Sequence, residues 1–71
     1  MTFAEQVKAA REQLNLSQHA FAKELKVSFS TINRWENGHN EPHEAVKSIF
    51  FDYCEKHLVF LSITKEGEAN E

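Results

Sequence analysis

The sequence predicts an all-α domain of four short helices followed by an apolar C-terminal extension. Three observations carry that expectation. Apolar residues recur three and four positions apart in four separate stretches, the spacing of one helix face. A hydroxyl residue suited to capping a helix precedes each of the first three stretches: Thr2, Ser17 and Ser28. The chain carries only 2 Gly and 1 Pro; Gly38 and Pro42 both fall between the third and fourth stretches, where a helix must stop and another begin.

Thr2 caps the first helix, and Glu5 three residues on completes a capping box. Phe3, Val7, Ala10 and Leu14 form its stripe, which ends at Asn15, a residue that tolerates a left-handed backbone. Ser17 caps a second helix of about two turns, with Phe21, Ala22 and Leu25 as its apolar face and an end near Lys26. Val27 reads as a turn residue pointing into the core. Ser28 caps a third helix over residues 29–37, with Ile32 and Trp35 inward and Gly38 just past the end. Pro42 suits the first turn of a fourth helix. There Val46, Ile49, Phe50, Tyr53 and His57 recur at helical spacing, and Phe51 and Cys54 widen the face.

The stretch 58–64, LVFLSIT, fits two conformations. Phe60 and Leu61 continue the stripe of the fourth helix. Val59, Leu61 and Ile63 also alternate with Leu58, Phe60 and Ser62, as in a short strand. Residues 65–71, KEGEANE, are polar and expected to be disordered. The expected organisation is thus a domain over 1–57, an apolar extension over 58–64 suited to dimerisation, and a polar tail.

Composition narrows the function classes. A chain of 71 residues admits one small domain, and 6 Phe with 41% apolar residues exclude disorder over most of it. The longest purely apolar run covers residues 58–61, too short to span a bilayer. Residues 1–10 lack the apolar block of a signal peptide and carry Glu5. The lone Cys54 cannot form an internal disulfide and reads as a small buried hydrophobe, so a reducing cytoplasm is the expected compartment. His39 and His43 are four apart with Pro42 between them, so they share no helical face as zinc ligands would. No glycine-rich phosphate loop or serine elbow occurs. The chain is therefore not expected to be an enzyme, nor to use a metal, a cofactor, a small-molecule substrate or a membrane.

The net charge is −3, which at first argues against a nucleic-acid partner. The sum hides an asymmetry. Residues 1–40 hold five basic against four acidic residues, a net of +1, and residues 41–71 hold three against seven, a net of −4. Any anion-binding surface is expected in the first forty residues. A domain so weakly basic makes few phosphate contacts per subunit, which points to dimerisation or to modest affinity.

The outer side of the third helix is the most informative surface. Phe29, Ser30, Thr31, Asn33, Arg34 and Asn37 are mostly short hydrogen-bonding side chains with one guanidinium, and Glu36 falls towards the other side. A helix set against base edges in a major groove needs donors, little bulk and no repelling carboxylate. Solvated helices ordinarily carry Glu and Lys instead.

The run LNLSQHAFAKELKVSFSTINRWENGHNEP resembles the helix-turn-helix core of the phage-repressor and Cro-like class, the xenobiotic-response-element family. The matching pieces are Leu16-Ser17-Gln18, Phe21-Ala22, Leu25, Val27-Ser28, Ile32, Trp35-Glu36-Asn37-Gly38 and Pro42. The resemblance covers residues 3 to about 55. It implies a compact lambda-repressor-like helix-turn-helix domain that binds double-stranded operator DNA, usually as a homodimer with its recognition helices about one DNA turn apart. On that resemblance, Phe29, Ser30, Asn33 and Arg34 fall at base-contacting positions; Arg34 suits guanine and Asn33 adenine. Gln18 would contact a phosphate and brace the recognition helix. Lys23, Asn37, His39 and Asn40 fall at or near the DNA backbone, Thr31 near the backbone or a thymine methyl, and Arg11 with Glu36 matches an internal ion pair.

Two departures stand out. Lys26 occupies a turn position where the family often has Gly. Phe29 is apolar where family readers are usually polar; it either contacts thymine methyls or packs against the domain. A competing reading keeps the fold but makes it a protein-interaction module, such as an antitoxin or defence-system partner. The negative total charge and the apolar tail motivate it.

Overall fold

The computed structural model describes residues 1–39 and 41–61. Four helices make up the fold, α1 (Phe3–Gln13), α2 (Gln18–Leu25), α3 (Phe29–Glu36) and α4 (Glu44–Lys56), with no strand among the described residues.

The helix starts follow the capping residues. Thr2 Oγ1 accepts from the Glu5 backbone N–H at 3.1 Å, and Glu5 Oε1 accepts from the Thr2 N–H at 2.9 Å, a complete capping box. Ser17 Oγ accepts from Ala20 N–H at 3.0 Å and Ser28 Oγ from Thr31 N–H at 3.1 Å. α4 departs from this pattern. Its cap is an extended His43 whose side chain makes no capping bond, so Pro42 lies before the helix rather than in its first turn. Glu41, on the other side of Pro42, is turned back to an ion pair with Lys47 of α4.

All four helices close in one way. Asn15, Lys26, Gly38 and Leu58 each take a positive φ of 55–71°. At each end the next residue's N–H reaches back five positions: Leu16 to Arg11, Val27 to Ala22, His39 to Arg34 and Val59 to Cys54, at 2.9–3.2 Å. This double-bonded ending satisfies carbonyls that a helix terminus otherwise leaves open. Lys26, at φ 60° and ψ 42°, ends α2 sharply; with Val27 and the cap Ser28 it swings the chain into α3 within three residues.

The core is drawn from every helix. Phe3, Val7 and Ala10 of α1, Phe21, Ala22 and Leu25 of α2, Ile32 and Trp35 of α3, and Phe50 and Cys54 of α4 are all buried. Phe3 meets Trp35 and Phe50 edge-on, each at 5.5 Å between centroids, and Phe21 meets Phe50 edge-on at 6.2 Å. Such edge-to-face pairs add to the hydrophobic gain of burial. Across the α2–α4 contact, Tyr53 donates its hydroxyl to Glu24 Oε1 at 2.9 Å.

Two further expectations are corrected. Ile49 does not belong to the inner stripe of α4, being 53% exposed; His57, at the end of that spacing, is a surface side chain stacked on Tyr53. Phe50 and Cys54, four apart, set the buried line, and Ile49 lies about 100° away from Phe50 around the axis. The segment after α4 is neither a continued helix nor a strand over 58–61. Leu58 breaks the helix, and Gln13 of α1 then grips Phe60 by its backbone, donating from Nε2 to the carbonyl at 2.6 Å and accepting from the N–H at 3.0 Å. That clamp holds Val59 in the core and Leu61 against it, while Leu58 and Phe60 stay 74% and 78% exposed. Asn40, the remainder of the apolar stretch (62–64) and the polar tail (65–71) lie outside the described residues.

Candidate nucleic-acid interface

α3 rests on the other helices through Ile32 and Trp35, and this sets which of its residues face outward. At about 100° per residue, Asn33, Asn37, Ser30 and Arg34 fall within roughly 100° of arc opposite that buried side. Ser30, Arg34 and Asn37 are exposed, and Asn33 is half-buried. Phe29 and Glu36 fall on the flank towards α2, and Thr31 on the opposite flank.

The carboxylate on α3 is withdrawn from this face. The Glu36 side chain is 5% exposed. Its Oε2 accepts from Arg11 Nε at 2.6 Å, and its Oε1 from Arg11 Nη2 and Gln18 Nε2, both at 3.0 Å. Arg11 also donates from Nη1 to the Leu16 carbonyl at 3.1 Å. The hydrogen bond to Glu36 raises Arg11 above its ordinary pKa, against the desolvation that lowers it. One fork-shaped contact thus ties α1, the loop before α2, and α3.

Gln18 links this buried pair to the surface. Its Oε1 accepts from Asn33 Nδ2 at 3.3 Å, and Asn33 Oδ1 accepts from Asn37 Nδ2 at 3.1 Å. The relay Glu36–Gln18–Asn33–Asn37 orients two outward amides from a charged anchor in the interior, and a fixed orientation is what readout of a base edge requires. At the start of α3 the hydroxyls form a second cluster: Ser28 Oγ lies 3.1 Å from Ser30 Oγ and 2.8 Å from Thr31 Oγ1.

Arg34 makes no ion pair among the described residues. Its flank borders a shallow concavity lined by Thr31, Trp35, Glu41, Pro42 and His43. Glu41 is therefore an acid at the margin of the face, and Lys47 neutralises it there. His39 is exposed in the loop after α3. Lys23 is exposed on α2, about 140° around its axis from Gln18, and is not gathered into the α3 face.

Two contacts were not anticipated. The His19 ring of α2 stacks on Phe29, with centroids 4.0 Å apart and planes 10° apart. Ser17 as cap puts His19 in the first turn of α2, which abuts the start of α3 in a helix-turn-helix, so their proximity was available as a signal. The Glu41–Lys47 clip had no such signal, because it depends on the path of a loop.

A helix-turn-helix family model matches residues 7–46, more than half of the chain and all of α2 and α3. The chain belongs to the helix-turn-helix family. Its class is the Cro-like one of the xenobiotic-response-element regulators. The HTH-type transcriptional regulator DicA of Escherichia coli (strain K12) is 36% identical over 42 residues, which is 59% of this chain and 31% of that protein. The helix-turn-helix chain thus spans less than a third of that relative's length. No solved structure matches it significantly. The domain has the fold of DNA-binding transcriptional regulators, and among its described residues no helix is long and apolar enough to cross a membrane.

Proposed function

We propose that this domain is a sequence-specific binder of double-stranded DNA that regulates transcription by setting α3 into the major groove. The observation that carries the reading is the outward side of α3. Ser30, Asn33, Arg34 and Asn37 present donors and acceptors with no carboxylate among them, because Glu36 is turned inward onto Arg11 and Gln18. DicA, named a transcriptional regulator, supports the regulatory role.

On this reading Arg34 pairs with guanine and Asn33 with adenine, with Ser30 and Phe29 beside them on the bases. Thr31, Asn37, His39 and Asn40 approach the phosphates, as does Lys23 from α2. Gln18 sits at the start of α2, where its free amide hydrogen can meet a phosphate while Oε1 stays on Asn33. No enzymatic step, cofactor or small-molecule substrate is part of the reading, and its compartment is the cytoplasm.

The working unit is a homodimer. One copy offers a single unpaired guanidinium on α3 and a nearly neutral surround, so two copies joined together give the phosphate contacts that one lacks. Exposed Leu58 and Phe60, beside a groove lined by Phe51, Cys54 and Leu61, supply the apolar surface for a second copy.

Mobility-shift titration of wild type, Arg34→Ala and Glu12→Ala on a preferred duplex tests the reading. Arg34→Ala should weaken binding by roughly 1–3 kcal/mol and relax one base position, while Glu12→Ala leaves affinity unchanged. Equal losses from both substitutions would remove α3 as the reading surface.

A further inference from the structure

Phe29 is out of character beside a face built for hydrogen bonds, on its flank towards α2. It is the first residue of α3 and is 40% exposed. The imidazole of His19 covers one side of its ring in a near-parallel stack, 4.0 Å between centroids and 10° between planes. With one face against His19, the ring keeps the exposed part of its surface for a partner outside the domain. Neighbouring hydroxyls and amides can serve the polar atoms of a base pair, but a phenyl ring cannot. The apolar feature that a major groove offers at its floor is the C5 methyl group of a pyrimidine.

We infer that Phe29, backed by His19, reads a C5-methylated pyrimidine in each half-site, and that His19 is the positioning residue for that contact. The inference rests on the DNA-binding reading above. It adds a named chemical group on the DNA and a residue of α2 to the specificity of α3. His19 needs no contact with a base for this: it keeps the phenyl ring from swinging away from the groove.

The test uses the full chain and the duplex enriched by selection. Each thymine is replaced in turn by deoxyuridine, which removes only the methyl group. At one thymine per half-site the wild type should lose about fourfold in affinity, the value of one buried methyl. Where the enriched pyrimidine is cytosine, adding a C5 methyl should strengthen binding by a similar factor, which separates the two sources of the group. Phe29→Ala should bind the methylated and unmethylated duplexes equally. His19→Ala should lower the ratio towards one with an unchanged melting temperature, and His19→Tyr, which keeps a flat ring at that site, should restore it. If a duplex is enriched but no methyl matters, or if His19→Ala keeps the full ratio, the inference is overturned and the DNA-binding reading stands. If no duplex is enriched, both fall.

Discussion

Glu36→Ala removes the acceptor on which three donors converge. Arg11 loses bonds from Nε at 2.6 Å and Nη2 at 3.0 Å, and Gln18 loses its bond at 3.0 Å. The guanidinium stays largely covered, with 18% of the Arg11 side chain exposed. Removing one partner of a buried ion pair costs about 3–5 kcal/mol, because the other charge is left without compensation. Arg11 keeps the Leu16 carbonyl and some access to water, which lowers the expected loss to about 2–3 kcal/mol. A chain of this size holds roughly 4–10 kcal/mol in all, so the variant should remain folded but close to its limit. Urea denaturation followed by helical circular dichroism measures it. With a slope of about 1 kcal/mol per molar, the midpoint should fall by about 2–3 M. Arg11→Met combined with Glu36→Leu removes both charges and should recover part of that loss. A single variant within about 0.5 kcal/mol of wild type would mean the pair behaves as an exposed one. A double variant no more stable than the single would mean that stranded charge is not the cause.

Four further outcomes are expected. Lys26→Gly and Leu58→Gly should each raise stability by about 0.5–1 kcal/mol, since both positions are left-handed and both side chains are exposed; a lowered urea midpoint would show that the side chains contribute more than the backbone strain costs. Burial pushes the Cys54 thiol from 9.0 up to about 11. The folded state then holds that proton more tightly than the unfolded chain, so this contribution is intact below about pH 9 and lost between about 9 and 11. Urea midpoints taken across that range should fall, and Cys54→Ala should flatten the fall; an equal slope in both chains would contradict the assignment. Sedimentation should give a dimer for the intact chain and a monomer for Phe60→Lys, whose side chain is exposed; monomers throughout would remove the second copy. Truncation after residue 57 is a poorer test, because it also takes Val59 from the core. Raising salt should weaken binding to the preferred duplex steeply, with Lys23→Ala reducing the salt slope by about one; an unchanged slope would place Lys23 away from the phosphates.

The starts of α1, α2 and α3 were legible because a cap is a local device: one hydroxyl, the N–H three residues on, and no long-range partner; α4, whose cap His43 makes no such bond, began later than Pro42 suggested. The inner residues of α1, α2 and α3 were legible for a related reason, since each helix has a single narrow apolar line. Asn15 and Gly38 announce left-handed endings by residue type, and Lys26 was legible as a departure only because glycine was expected there. α4 was harder. Its sequence is apolar around much of its circumference, so periodicity could not choose Phe50 and Cys54 over Ile49. The path after Leu58 was hidden because a leucine gives no sign of adopting a left-handed backbone, and because the Gln13 clamp joins residues 47 apart in sequence. The outward set of α3 could be named from its wheel. The resemblance implied Gln18 as a brace and the cap at Ser17 put His19 near Phe29, but the relay from Glu36 to Asn37 and the ring stack needed the crossing of α2 over α3, which no single-helix pattern contains.

Unbiased selection of duplexes from a random pool, with wild type and Arg34→Ala in parallel, tests the role of the α3 surface most directly. A defined motif should emerge for the wild type, and the same motif with one base position blurred should emerge for the variant. A pool that shows no enrichment at low salt, or an identical motif from both proteins, would contradict it.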